Sequence, residues 1–132
     1  MPDTVLVVDD NENVTRMTAR MLSGLGYEVM TALDGPSALA QVADRLPDCV
    51  LLDVMMPTMS GLEVLARLKR DPATSAIPVI LLTAKSQDDD VLAGYKEGAD
   101  YYITKPCSSQ DLVYGIRLVL GQRAARTHHR TA

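Results

Sequence analysis

The middle of the chain reads Cys49-Val50-Leu51-Leu52-Asp53-Val54-Met55-Met56-Pro57. Cys49 to Leu52 is an unbroken apolar run, and a strand exposed on one face would alternate instead. The run therefore reads as a strand covered on both sides. It ends on a carboxylate, and Pro57 then turns the chain away from regular structure.

The same unbroken pattern occurs at Val5-Leu6-Val7-Val8 and at Val79-Ile80-Leu81-Leu82. Tyr27 to Ala32 alternates in part, with Glu28 between apolar neighbours, which suits an edge strand. Tyr101-Tyr102-Ile103 is a short fifth strand. Helical spacing fills the intervals. Val14, Met17, Met21, Leu22 and Leu25 form the first stripe, stopped by Gly26. Pro36 sits at a first turn, Ala38, Leu39, Val42 and Leu46 follow, and Pro47 closes that helix. Ser60 and Glu63 have capping-box spacing before Leu62, Leu65 and Leu68. Ser86 and Asp89 open a fourth helix running towards Gly98. Ser108 and Asp111 open a fifth, with Leu112, Val113, Ile116, Val119 and Leu120 before Gly121 ends it.

Strands separated by helices run parallel, joined by right-handed crossovers. The expected fold is a single α/β domain, a doubly wound five-stranded parallel sheet flanked by five helices. Residues 1–121 form its body, and residues 122–132 form a basic, flexible tail with no periodic apolar pattern.

Composition bounds the function. The chain has 132 residues, 47% hydrophobic, with no Phe or Trp, so the core is aliphatic. Removing the charges of Arg123, Arg126 and Arg130 from the net −4 leaves −7 on the body. An acidic body argues against a nucleic-acid groove and suits a protein that gathers divalent cations. No signal-peptide pattern opens the chain, and no apolar run approaches the roughly 18 residues of a membrane span. A cytoplasmic protein is expected. Cys49 and Cys107 do not suggest a disulfide framework, and Cys49 reads as a buried free thiol.

Ligands of open parallel sheets bind at the carboxyl ends of the strands. Strand one ends in Asp9-Asp10, strand three in Asp53, strand four in Thr83 and strand five in Thr104-Lys105-Pro106. Taken singly, Asp9 or Asp10 would cap a helix, Thr83 would be an ordinary β-branched residue and Lys105 a solvated lysine. Together they put three carboxylates, a hydroxyl and an ammonium on one rim. Such carboxylates repel unless some are protonated or a cation sits among them. Oxygen donors without His or Cys favour a hard ion, Mg²⁺ above all. Asp53 is then a candidate nucleophile, since a carboxylate attacked by a phosphoryl group becomes an acyl phosphate.

In this order, Asp9-Asp10, Leu51-Leu52-Asp53-Val54-Met55-Met56-Pro57, Gly61, Thr83-Ala84, Gly98-Ala99-Asp100 and Lys105-Pro106 resemble the receiver domain of two-component response regulators, over about residues 4–120. The resemblance implies a flavodoxin-like fold with strand order 2-1-3-4-5. It implies that Asp53 is the phosphoacceptor. Asp10 and Asp53 would bind Mg²⁺ directly, Asp9 through water, and the backbone carbonyl of Met55 would complete the set. Lys105 would contact the phosphoryl group, with a cis bond to Pro106. Thr83 and Tyr102 would be the switch pair; plain packing on an edge strand is the other reading of Tyr102. The surface of helix four, strand five and helix five would report the change. Met55 and Lys85 would border the path of the hydrolytic water and set the phosphate's lifetime. Gly94 would mark a mobile output face or be a tolerated helical glycine. The implied partners are a sensor histidine kinase or histidine phosphotransfer protein, and a downstream protein or output domain.

Other functions fit less well. A haloacid-dehalogenase-type phosphatase needs a second acid two residues after its nucleophile, where this chain has Met55. A flavin-binding module needs a loop rich in Ser, Thr and Gly after strand one, where Asp9-Asp10 would repel phosphate. A degenerate receiver would lack an acid, the Thr or the Lys. No helix-turn-helix pattern follows residue 120, so no nucleic-acid contact is expected, nor any reaction beyond the domain's own phosphorylation and dephosphorylation.

Overall fold

A computed structural model describes residues 2–84 and 98–131, and the side chains of residues up to 122. Strands β1 (Thr4–Val8), β2 (Glu28–Ala32), β3 (Cys49–Asp53), β4 (Val79–Ala84) and β5 (Tyr101–Lys105) form one parallel sheet in the order β2-β1-β3-β4-β5. The expected order and parallel pairing are both present. β2 is a half-exposed edge, as its alternation implies.

The helices are α1 (Glu12–Gly24), α2 (Gly35–Asp44), α3 (Gly61–Arg70) and a C-terminal helix (Ser109–Thr131). The fourth expected helix, with Ser86, Asp89 and Gly94, lies outside the described residues. Side chains cap each start. Asn11 accepts from the Val14 N–H at 3.1 Å, Asp34 from Ser37 at 2.7 Å and Ser60 from Glu63 at 3.3 Å. Ser108 and Asp111 form the reciprocal capping box that their spacing implies, at 3.0 and 3.1 Å. Gly26, at φ 97°, takes the left-handed conformation that ends α1.

Alternate side chains of each strand feed two cores, which is why the runs are unbroken. Leu6, Val8, Val50, Leu52, Val79 and Leu81 pack against Val42 of α2 and Val64, Leu65 and Leu68 of α3. Val5, Val7, Cys49, Leu51, Ile80 and Leu82 pack against Leu22 of α1 and Leu112, Ile116 and Val119 of the C-terminal helix.

Three sequence expectations are corrected. Leu46, placed on the α2 stripe, lies beyond the end of α2 at Asp44 and is exposed. Val14, Met17 and Leu25 of the proposed α1 stripe are exposed, and Thr15 is buried beside Leu22. Thr15 can be buried because its hydroxyl donates to the carbonyls of Asp9 and Asn11 at 3.0 and 2.9 Å. The C-terminal helix also continues past Gly121 to Thr131. Glycine weakens a helix by about 1 kcal/mol against alanine, and the Gln122-Arg123-Ala124-Ala125-Arg126 stretch that follows is made of strong helix formers. Among the described residues, no helix is long and apolar enough to cross a membrane.

Candidate functional site

Parallel strands bring their carboxyl ends to one edge. β1, β3, β4 and β5 are consecutive neighbours there, so Asp9, Asp10, Asp53, Thr83 and Lys105 share a rim. Register places Asp53 opposite Leu82, one residue before Thr83, and pairs Ala84 with Lys105. The Lys105–Pro106 peptide bond is cis, as the resemblance implies.

Asp9 and Asp53 are 3% and 5% exposed, whereas Asp10 faces solvent. One oxygen from each of the three lies within 4.8 Å of the others, a grouping able to hold a metal ion. The Lys105 ammonium bridges the buried pair, 3.3 Å from Asp53 Oδ1 and 3.4 Å from Asp9 Oδ2. The backbone N–H of Asn11 donates to Asp9 Oδ1 at 2.9 Å, and that of Met55 to Asp53 Oδ1 at 3.2 Å. These bonds fix the direction of both carboxylates.

Burial pushes the Asp53 carboxyl above its ordinary value; the nearby Asp9 charge adds to this and Lys105 opposes it. Burial draws the Lys105 ammonium down, but Asp53 and Asp9 outweigh that and hold it above its ordinary value. Among the described residues the rim is short of positive charge, because one ammonium faces two buried acids and a third beside them.

A raised folded-state value means that ionising Asp53 destabilises the fold. Its contribution is complete below the ordinary carboxylate value of 3.8 and is lost as pH rises through the raised value. Asp53→Asn, neutral at every pH, should therefore stabilise the metal-free protein at pH 7. Thermal unfolding in a chelator should show that advantage shrink as the pH falls towards 4.

The Thr83 side chain is 1% exposed, and its hydroxyl finds no hydrogen-bond partner among the described residues. A buried unpaired hydroxyl is unfavourable. Thr83→Val keeps the β-branched shape and removes the orphan, so it should raise the stability of the unmodified protein by about 1 kcal/mol in urea unfolding.

Gly61 explains the close approach of α3 to the rim. A Cβ there would lie 2.2 Å from the Asp53 carbonyl oxygen and 2.8 Å from Val54 Cα. The Gly61 N–H donates to the Val54 carbonyl at 2.9 Å. The α3 start is thus seated directly on the backbone that carries Asp53.

Of the other sequence candidates, Tyr102 is half-buried against the core on the α2 and α3 side. Met55 is exposed beside Asp53. Lys85 lies outside the described residues. Sequence reading missed Lys69. Its ammonium donates to the carbonyls of Ser75 and Ile77 at 3.2 and 2.8 Å and to Asp100 Oδ2 at 3.1 Å. Asp100 Oδ2 also accepts from the Val79 N–H at 2.8 Å. The pair ties α3 to the entries of β4 and β5. The one available signal was the Gly98-Ala99-Asp100 motif, which does not point to its partner.

Residues 5–117 match the family described as the response regulator receiver domain. The chain is 46% identical over 117 residues to the phosphate regulon transcriptional regulatory protein PhoB of Pseudomonas aeruginosa, covering 89% of this chain and 51% of that protein. It is 42% identical over 121 residues to the sensory transduction protein RegX3 of Mycolicibacterium smegmatis, covering 92% and 52%. It spans about half the length of these two relatives. Among solved structures it resembles the chemotaxis protein CheY4 of Vibrio cholerae, with TM-score 0.85, 30% identity and coverage of 90% of this chain and 99% of that one.

Proposed function

The chain belongs to the response regulator receiver domain family, and from that premise we propose that Asp53 accepts a phosphoryl group from a phosphohistidine on a sensor histidine kinase or histidine phosphotransfer protein. One observation carries this reading. Asp53 is buried at the end of β3, 3.3 Å from Lys105, on a rim where the Thr83 hydroxyl has no partner among the described residues.

In the proposed transfer an Asp53 carboxylate oxygen forms a bond to phosphorus as the phosphorus–nitrogen bond breaks. The imidazole leaves with the electron pair. Lys105 offsets the charge arriving on the phosphoryl oxygens, and the Thr83 hydroxyl donates to one of them. The donor set fits Mg²⁺, because it is all oxygen and carries more negative charge than Lys105 neutralises. Asp10 and Asp53 would hold the ion directly, with the Met55 carbonyl, and Asp9 would act through water. When bound it neutralises charge on the phosphoryl oxygens.

Modification favours the conformation in which Thr83 and Lys105 gain these partners, and Tyr102 turns inward behind Thr83. The altered face is read by a downstream protein or an attached output domain. The reading places the domain in the cytoplasm, as a signalling phosphoacceptor with no substrate beyond its own phosphate. Residues 1–121 are its body, and residues 122–132 are its basic C-terminal tail.

Incubation with acetyl phosphate and Mg²⁺, followed by intact mass, tests this. A gain of one phosphoryl mass is expected, lost on chelation and absent from Asp53→Asn. No gain from protein shown to bind magnesium would overturn the reading and leave a receiver that acts without phosphorylation.

A further inference from the structure

α2 and α3 each follow the carboxyl end of a strand and run back along the sheet, so both end at the edge opposite the rim. Between their last turns lies an open groove of about 710 Å³. Val42 and Leu68, each 2% exposed, close its floor against the core. One wall carries Ala43 of α2 and, just past that helix, Leu46, an aliphatic side chain left 56% exposed. The other carries Arg67 and Arg70, one turn apart on α3 and both exposed. Neither arginine has an ion pair among the described residues. The one acid in the described lining is Asp71, and its Oδ1 already accepts the Ala73 N–H at 2.9 Å. An apolar groove on an acidic domain thus carries net positive charge.

We propose that this groove docks an acidic amphipathic helix of a partner protein. Its closed floor covers an occupant on one side only. A small molecule needs burial over most of its surface, whereas a helix lays one apolar face into such a groove and keeps the other in water. A nucleic acid would bring phosphate to the guanidiniums but nothing to cover Leu46, and the acidic body repels it. The complement is a helix with apolar residues one turn apart and Asp or Glu beside them. Its apolar face seats on Ala43 and Leu46. Its carboxylates pair with Arg67 and Arg70, whose aliphatic stems extend the apolar wall. Ten residues of α3, roughly 15 Å of helix, separate this groove from the rim, so a seated partner leaves Asp53 open. The proposal does not depend on the phosphoacceptor reading.

The probe is a labelled helical peptide with Leu along one face and Glu along the other. It is titrated into the full chain by fluorescence anisotropy, and amide NMR shifts locate it. The shifts should centre on Ala43, Leu46, Arg67 and Ala73. The double variant Arg67→Glu and Arg70→Glu, with an amide spectrum that shows it folded, should bind about tenfold more weakly. A peptide with Lys in place of Glu should reverse that order and prefer the double variant. Leu46→Ser, which removes apolar contact and no charge, should weaken both peptides. Absence of binding, shifts centred on another face, or equal affinity for wild type and double variant would each overturn the proposal. So would failure of the Lys peptide to prefer the variant. Dimerisation of the chain through these residues would give the groove to a second copy instead. Shifts there from decanoate but not from the peptide would give it to a small amphiphile, and either result overturns the partner helix.

Discussion

Gly61→Ala should lower stability by about 3 kcal/mol and abolish phosphorylation. The added methyl would meet backbone, with the Asp53 carbonyl oxygen at 2.2 Å and Val54 Cα at 2.8 Å. A flexible side chain could swing aside, but these atoms are held in the sheet. The Val54 N–H donates to the Leu82 carbonyl at 3.1 Å, so relief requires α3 to lift or β3 to shift against β4. Either movement displaces Asp53 from Lys105. Urea unfolding and acetyl phosphate labelling would read the two consequences. A variant with wild-type stability and labelling would show that the loop relaxes without moving the rim.

Lys69→Met should cost about 3 kcal/mol without touching the rim directly. The substitution keeps an apolar stem of similar length. It strips an ammonium from two carbonyls and from Asp100, and leaves that carboxylate half-buried with the Val79 N–H. Removing one partner of a buried pair is worse than removing both. Adding Asp100→Asn to Lys69→Met should therefore recover part of the loss in urea unfolding. Purely additive losses would mean that the two residues act independently.

These two residues show where sequence reading succeeds and where it stops. The fold was legible because buried parallel strands leave runs such as Val5 to Val8 that no amphipathic helix would carry. The rim was legible because each run halts at a polar residue, and parallel topology alone gathers those residues on one edge. Lys69 and Asp100 stand 31 residues apart, and no local pattern joins them. The α1 face was misread for a similar reason. Thr15 becomes a core residue only once the Asp9 and Asn11 carbonyls receive its hydroxyl. Gly121 misled differently: a glycine ends a helix when the chain turns left-handed there, and this one does not.

Under the proposed function one carboxylate, Asp53, takes the phosphoryl group. Borohydride reduces an acyl phosphate but not a free carboxylate, converting the modified aspartate to homoserine. Treating the acetyl phosphate-labelled chain with borohydride and mapping its peptides should place homoserine at position 53 and at no other acid. Homoserine at Asp9 or Asp10, or none anywhere in a chain that has gained a phosphoryl mass, would rule out Asp53 as the phosphoacceptor.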